Sequence, residues 1–402
     1  MSDAPLAGVR VIEFGNLVAA PYCGMLLADL GAEVLKVEPL TGDLARAIGP
    51  FYGDQSAFFL GVNRGKLSLA VDAKDERVKK ALLRLCQQSD VILSNLRRGA
   101  MERMGLGAQS LRTLAPHLVV AAISAFGSTG PSADRAGIDL IFQGESGMMS
   151  ITGDEGEGPH KTATTIADFL AGTNAALAIS SALLGGGGRR GGRGALVEVS
   201  LRDGIIAAQA TWNALYFTSQ TQPERTGTAS PVTGPNQTFR TADGHLNLAV
   251  VSDRHFGDTC RALQLDHLGS DPRFASNELR VRHRAELGTI LQEVFAHKPT
   301  SHWMKLLDAV GVPVGRILDL AEVFADEQVI LNEMVVEVPY PRIGTIRVQG
   351  SPLRLNGTSA RSQIPPPLLG QHTVDILRDL GLSDSDVNEM LSSMTALDGS
   401  EL

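Results

Sequence analysis

The chain has 402 residues, long for a single hydrophobic core, so two or more domains are expected. Its 43% hydrophobic and 5% aromatic fractions are those of an ordinary soluble globular protein rich in small side chains. A net charge of −8 argues against a nucleic-acid surface, and three widely spaced cysteines, Cys23, Cys86 and Cys260, suggest neither a disulfide framework nor a zinc site.

The first third alternates apolar β-type runs with helical patterns. VRVIEF (9–14) reads as a buried strand, and a helix opened by Pro21 runs through Leu30 to a stop at Gly31. AEVLKVE (32–38) and LSLAV (67–71) are further strands, followed by a charged helix from about Lys74 to Gln88. DVILSN (90–95) and LVVAAIS (118–124) continue the series. This βαβ rhythm implies an α/β fold with a mainly parallel, Rossmann-like sheet covered by helices on both faces. From Asp168 a small-residue helix runs towards Leu184, GGGGRRGGRG (185–194) breaks it, and ALVEVS (195–200) is a last strand. A long apolar helix from about Arg202 to Phe217 leaves the domain.

Residues 218–236, with three prolines, read as a linker. FRTADGHLNLAVV (239–251) is two strands around an Asp243-Gly244 turn, followed by helical patterns. Strands return in 334–355, PPPLLGQHT (365–373) approaches a final helix near Thr373, and residues 394–402 read as a frayed tail. The expected organisation is a large domain over 1–217 completed by 336–402, a smaller α+β domain over 237–325, and linkers at 218–236 and 326–335. The polar, acidic start MSDAPLAG lacks the pattern of a signal peptide. The most apolar stretch, FLAGTNAALAISSALL (169–184), reads as too short for a membrane span. A cytoplasmic location, with no nucleic-acid or membrane partner, is the resulting expectation.

Several motifs invite chemistry, each beside an ordinary structural role. Glu38 ends the second strand where a ribose-binding acid sits in dinucleotide folds, but the turn after the first strand, Gly15-Asn16-Leu17-Val18-Ala19-Ala20, holds one glycine, too few for a pyrophosphate. GVNRGKLS (61–68) has the wrong spacing for a phosphate loop, and Leu67 stands where a hydroxyl is needed; Arg64 and Lys66 remain as plain charges or as parts of a solvated turn. GGGGRRGGRG is a phosphate cradle or a flexible turn. The nine histidines form no metal-binding spacing, and no GxSxG elbow is present. Asp168, in TTIADFLAGTN (164–174), is a helix cap or a catalytic carboxylate, and Asp139, in AGIDLIFQGESG (136–147), is a second acid with a cap or buried acceptor as its ordinary role.

Taken in order, several segments resemble the family III CoA-transferases, the group containing formyl-CoA and carnitine CoA-transferases. The similar strings are LAGVRVIEFGNLVAAPYCGMLLADLGAEVLKVEP (6–39), NRGKLSLAVD (63–72), DVILSNLRRGAMERMGLG (90–107) and SAFGSTGPSADRAGIDLIFQGESGMMSITG (124–153). IADFLAGTNAALAISSALL (166–184), GRGALVEVSLRDG (192–204), FRTADGHLNLAV (239–250) and LLGQHTVDILRDLGL (368–382) continue the set over nearly the whole chain. The resemblance implies that Asp168 is a nucleophile and that Asn16, Leu17, Val18 and Ala19 line the CoA adenine and ribose. It implies that Lys66, with Arg64 nearby, and Arg103 meet CoA phosphates, and that Asn95 and Leu96 lie beside the nucleotide or pantetheine. Two basic positions of formyl-CoA transferase are replaced here by Pro39 and Ala136; Arg135, adjacent to Ala136, is the candidate substitute. That enzyme's glycine-rich loop has no match in 225–238, so oxalate or formate specificity is not implied. The 2-methylacyl-CoA racemases share the aspartate but need a partner histidine where this chain has Ile138.

The implied reaction moves CoA from an acyl-CoA thioester to a small carboxylic acid. A carboxylate attacks the thioester to give a mixed anhydride; returning CoA thiolate converts it to an aspartyl thioester, and the acceptor acid reverses the steps. This chemistry calls for a nucleophile ionised at neutral pH, backbone N–H groups at the following helix start for the oxyanion, and a buried site, with no cofactor beyond the CoA thioester substrate and no metal. The family also implies an interlocked ring homodimer, which nothing in the residues themselves indicates.

Overall fold

In the computed structural model, residues 4–188 and 192–400 are described; Arg189, Arg190 and Gly191 of the glycine-arginine run lie outside them, as do the first three and last two residues. The chain divides into two units. One comprises Met1–Met148, Thr162–Ala214 and Glu327–Leu402, and the other Met149–Lys161 and Leu215–Asp326. The division differs from the sequence reading in giving 149–161 and the proline-bearing stretch 218–236 to the second unit.

The first unit is built on six strands: β1 (Arg10–Phe14), β2 (Glu33–Glu38), β3 (Lys66–Ala70), β4 (Val91–Ser94), β5 (Val119–Ser124) and β6 (Leu196–Ser200). They pair in parallel in the order β3-β2-β1-β4-β5-β6, the doubly wound Rossmann order. The order in which strands are added therefore reverses across the β1/β4 boundary, and the loops leaving these two strands open a crevice where such folds bind ligands. The strands are Val-, Leu- and Ile-rich because helices cover both faces.

Four helices surround this crevice or brace the sheet behind it: α1 (Ala19–Asp29), α2 (Glu76–Gln87), α3 (Asp139–Glu145) and α4 (Ile166–Leu184). In α2, Val78, Ala81, Leu82 and Leu85 form one buried stripe, and the Asp75 side chain caps the start by accepting from Arg77 and Val78 N–H. Helix α1 has no such polarity: ten of its eleven residues are buried. It starts at Ala19, two residues before Pro21. Helix α4 packs against α1, β5 and β6. At 19 residues it reaches the length and apolar composition of a membrane span, longer than the 169–184 stretch suggested. It begins at Ile166, and its open face carries Thr173, Asn174 and Ser181.

Three further differences have local causes. The helix read as 202–217 is two, Leu201–Ala208 and Ala210–Ser219; Gln209 stands between them, and its amide donates to the Ser146 carbonyl at 3.0 Å. A second C-terminal helix, Asp384–Ser392, follows Gly381 (φ 84°) and opens with a capping box between Ser383 and Asp386. Residues 395–399 are not frayed: Asp72 N–H donates to Thr395, Leu397 N–H to Ala70 and Gly399 N–H to Gly370.

The second unit holds an antiparallel sheet of Asn236–Arg240, His245–Ala249 and Val314–Arg316, the first two joined through the Asp243-Gly244 turn. Its own core is centred on Phe239, Phe256, Phe274, Phe295 and Trp303.

Candidate active site

The turn after β1 sits at the strand-order reversal, and side chains from other elements hold its backbone. Asn95, just beyond β4, accepts from Asn16 N–H at 2.9 Å and donates to the Asn16 carbonyl at 2.9 Å. Asp43 accepts from Leu17 N–H at 2.9 Å. Lys36 donates to the Gly15 carbonyl at 2.7 Å. Leu17 has φ 64°, a left-handed conformation that a leucine adopts only when its surroundings impose it.

Asp168 lies in the first turn of α4, three positions in, where an acidic group favours the helix dipole; the cap position is Thr165, so Asp168 is not the helix cap. Ala19 N–H, at the start of α1, lies near enough to its carboxylate to favour the ionised form. Two helix starts thus meet at one carboxylate. They approach this closely because residue 172 is glycine: a Cβ there would lie 2.7 Å from the Ala19 carbonyl oxygen and 3.0 Å from the Tyr22 ring. Burial, with a further contribution from the Asp139 charge, pushes the Asp168 carboxyl up to about 7, against the pull of Ala19 N–H. The resemblance expects a carboxylate ionised at neutrality here; burial instead brings this carboxyl towards the neutral range.

Asp139 is the buried acceptor of its ordinary reading. Its carboxylate takes Ala167 N–H at 2.9 Å and the Gln143 amide at 2.6 Å. Gln143, fully buried, accepts from Thr162 N–H at 2.8 Å, fixing the approach to α4. The first four N–H groups of α4 are all engaged, three with the Thr164 and Thr165 carbonyls and one with Asp139. They are therefore not free for an oxyanion, which corrects the expectation from the helix start. Of the residues around this carboxylate, Gln143 and Gly172 carried no signal in the sequence beyond lying in helices.

The basic residues divide sharply. The Lys66 ammonium is wholly buried, bonded to Glu13 at 2.8 Å, the Pro21 carbonyl at 2.7 Å and Asn63 at 2.8 Å. Burial pulls it down to about 8 against the opposing Glu13 charge. It is an internal strut with no face left for a phosphate, which corrects the phosphate role. Arg64 is likewise buried, paired with Asp29 and donating to the Gln349 carbonyl at 2.9 Å, so its charge is compensated. Arg135 is exposed but held bidentate by Glu145, at 2.9 and 2.5 Å, over the Phe126 ring. Arg103 is exposed on the turn Ala100–Arg103, beyond β4. Leu96 packs its side chain on the sheet core. In the glycine-arginine run, Gly187, Gly188 and Gly194 spend their N–H groups on backbone carbonyls, as a turn does.

A cavity of about 580 Å³ runs beside the start of α4 at Thr165 and Phe169; Asp168 itself is not among its lining residues. Val18, Tyr22, Phe58 and Arg64 contribute to its largely apolar wall. Ile138, the position at which the resemblance expects a racemase's histidine, is 65% exposed at the cap of α3.

Comparison with known proteins places this geometry. The model of CoA-transferase family III matches residues 6–373. The chain is 37% identical to succinyl-CoA:glutarate CoA-transferase of Homo sapiens over 392 residues, covering 97% of this chain and 89% of that protein. It is 34% identical to succinyl-CoA–D-citramalate CoA-transferase of Chloroflexus aurantiacus over 387 residues, 95% of this chain and 96% of that one. The crystal structure of a CaiB/BaiF family protein from Brucella suis superposes with a TM-score of 0.83 at 33% identity, covering 94% of this chain and 99% of the other.

Proposed function

The chain belongs to CoA-transferase family III and is an enzyme of that type, and we propose that it transfers CoA through covalent intermediates on Asp168. The observation that carries this reading is the Asp168 carboxylate itself. It is half-buried at the junction of two helix starts, beside Ala19 N–H, and raised to about 7. A poorly solvated carboxylate is a stronger nucleophile than one in bulk water, and near neutrality a large fraction of it is ionised. Attack on the donor thioester forms the mixed anhydride and releases CoA thiolate. The thiolate attacks the aspartyl carbonyl, releasing the donor acid and leaving an aspartyl-CoA thioester. The acceptor carboxylate attacks that thioester, and the returning thiolate takes the acyl group and regenerates Asp168.

The relatives named for succinyl-CoA support a succinyl-CoA donor and a small dicarboxylate acceptor such as glutarate. The cavity beside Thr165 and Phe169 has the volume for a small acid or a stretch of pantetheine. Asn16 to Ala19, Asn95, Leu96 and Arg103 follow the C-terminal ends of β1 and β4 and form the proposed CoA contact set, now without Lys66 and Arg64. Arg135 joins it only by exchanging Glu145 for a phosphate. The working form is proposed to be the family's interlocked homodimer, in the cytoplasm and without a further cofactor. A screen of small carboxylic acids against succinyl-CoA and acetyl-CoA, read by mass, tests the assignment. New acyl-CoA product from succinyl-CoA with a dicarboxylate supports it; no transfer with any pair sinks it.

A further inference from the structure

Beneath the turn after β1 lies a closed cluster of charges: Glu13, Lys36, Asp43 and Lys66, whose side chains are all at 0% exposure. Lys36 bridges Glu13 at 2.9 Å and Asp43 at 2.7 Å, and Glu13 reaches Lys66 at 2.8 Å. The two cations balance the two anions, so the cluster is neutral. Gly24 leaves the space it occupies; a Cβ there would collide with the Glu13 carboxylate. Such a cluster is a poor way to gain stability, because desolvation of the ions offsets most of their attraction and apolar packing of equal volume commonly does as well or better.

What the cluster does do is bond the backbone of one segment. Lys36 takes the Gly15 carbonyl, Asp43 takes Leu17 N–H and Ala45 N–H, and Lys66 takes the Pro21 carbonyl. Leu17 between these anchors is left-handed, and Ala19 just beyond it packs against α4 at Gly172, one turn after Asp168, with its N–H favouring the ionised Asp168 carboxyl. We infer that Lys36 and Asp43 are positioning residues: through the Gly15 carbonyl and Leu17 N–H they hold the turn so that Ala19 N–H stays aimed at the Asp168 carboxylate. They touch neither substrate nor nucleophile. This rests on Asp168 being the nucleophile.

The test uses the full-length protein and two variants, Asp43→Asn and the double variant Lys36→Met/Asp43→Asn. Asparagine can still accept from Leu17 N–H, so the single change removes the charge that Lys36 answers. The double change leaves Glu13 and Lys66 as a balanced pair and no orphaned buried charge, which favours folding. Leu82→Ala, in the core under α2, serves as a control of comparable instability. The readouts are the rate of CoA attachment to Asp168 at saturating succinyl-CoA and its pH profile. The double variant is expected to be folded by circular dichroism, to attach CoA about 10²-fold more slowly, and to show its acid limb at higher pH than the parent, since Ala19 N–H no longer favours the ionised carboxyl. Leu82→Ala is expected to keep the parent's limb. A folded double variant with the parent's rate and limb overturns the inference, as does Leu82→Ala shifting the limb equally. Absence of the adduct in the unaltered protein instead sinks the Asp168 assignment.

Discussion

Replacing Asp168 with asparagine should abolish transfer and at the same time stabilise the fold at alkaline pH. The carboxyl is pushed up to about 7 in the folded chain, first by burial and then by Asp139, whereas in the unfolded chain it titrates near its ordinary 3.8. The folded state therefore holds this proton more tightly than the unfolded one. Stability associated with Asp168 is fully present below about pH 4 and is lost as pH rises through about 7. About three pH units at 1.36 kcal/mol each set a ceiling near 4 kcal/mol; water at the partly open side reduces this to roughly 1–3 kcal/mol. Asparagine keeps an oxygen for Ala19 N–H and carries no charge to desolvate. Melting scans of both proteins across about pH 4.5 to 8.5 should show the variant's advantage growing towards neutrality and then levelling. The plateau should be a few degrees, on a scale of about 2–4 °C per kcal/mol for units of 150–250 residues. A variant that is equally or less stable throughout, or whose advantage grows towards acid pH, would refute the reasoning.

Gly172→Ala drives a methyl into the Ala19 carbonyl, so α1 and α4 must part; a stability loss of about 1–3 kcal/mol and a marked fall in kcat are expected, measured by urea unfolding and steady-state assay. Lys66→Ala leaves the buried Glu13–Lys36–Asp43 cluster with one uncompensated negative charge and should cost about 3–5 kcal/mol of stability, whereas Arg103→Ala should leave stability unchanged and raise KM for the CoA ester with little change in kcat. An unchanged KM in Arg103→Ala removes it from the contact set. Incubated with a chiral 2-methylacyl-CoA in D₂O, the protein should incorporate no α-deuterium, since Ile138 cannot carry a proton; enzyme-dependent incorporation would restore the racemase reading.

The sheet was legible because its strands are short Val/Ile/Leu runs between helices of clear period, and all six fall within two residues of their expected ends. Helix starts were less so: α1 and α4 begin two residues early, with no capping side chain to mark them. The break at Gln209 and the bonding of 395–399 depend on Ser146, Asp72, Ala70 and Gly370, partners far away in sequence. Asp168 was legible only through the family string, since its pairing with Ala19 joins residues about 150 apart. Lys66 shows the opposite limit. A basic residue in a glycine-bearing turn reads as a phosphate contact until the structure reveals Glu13, Asn63 and Pro21 around it.

The most direct measurement is the intact mass of the protein after incubation with succinyl-CoA and no acceptor acid. The account predicts a gain of one CoA, cleaved by hydroxylamine and mapped to the peptide containing Asp168, because thiolate returning to the anhydride leaves a thioester that waits for an acceptor. Borohydride should convert position 168 to homoserine. Rapid-quench samples of active enzyme that never show the adduct, with exchange requiring both substrates bound, would contradict covalent transfer; an adduct mapped to Asp139 would contradict the residue.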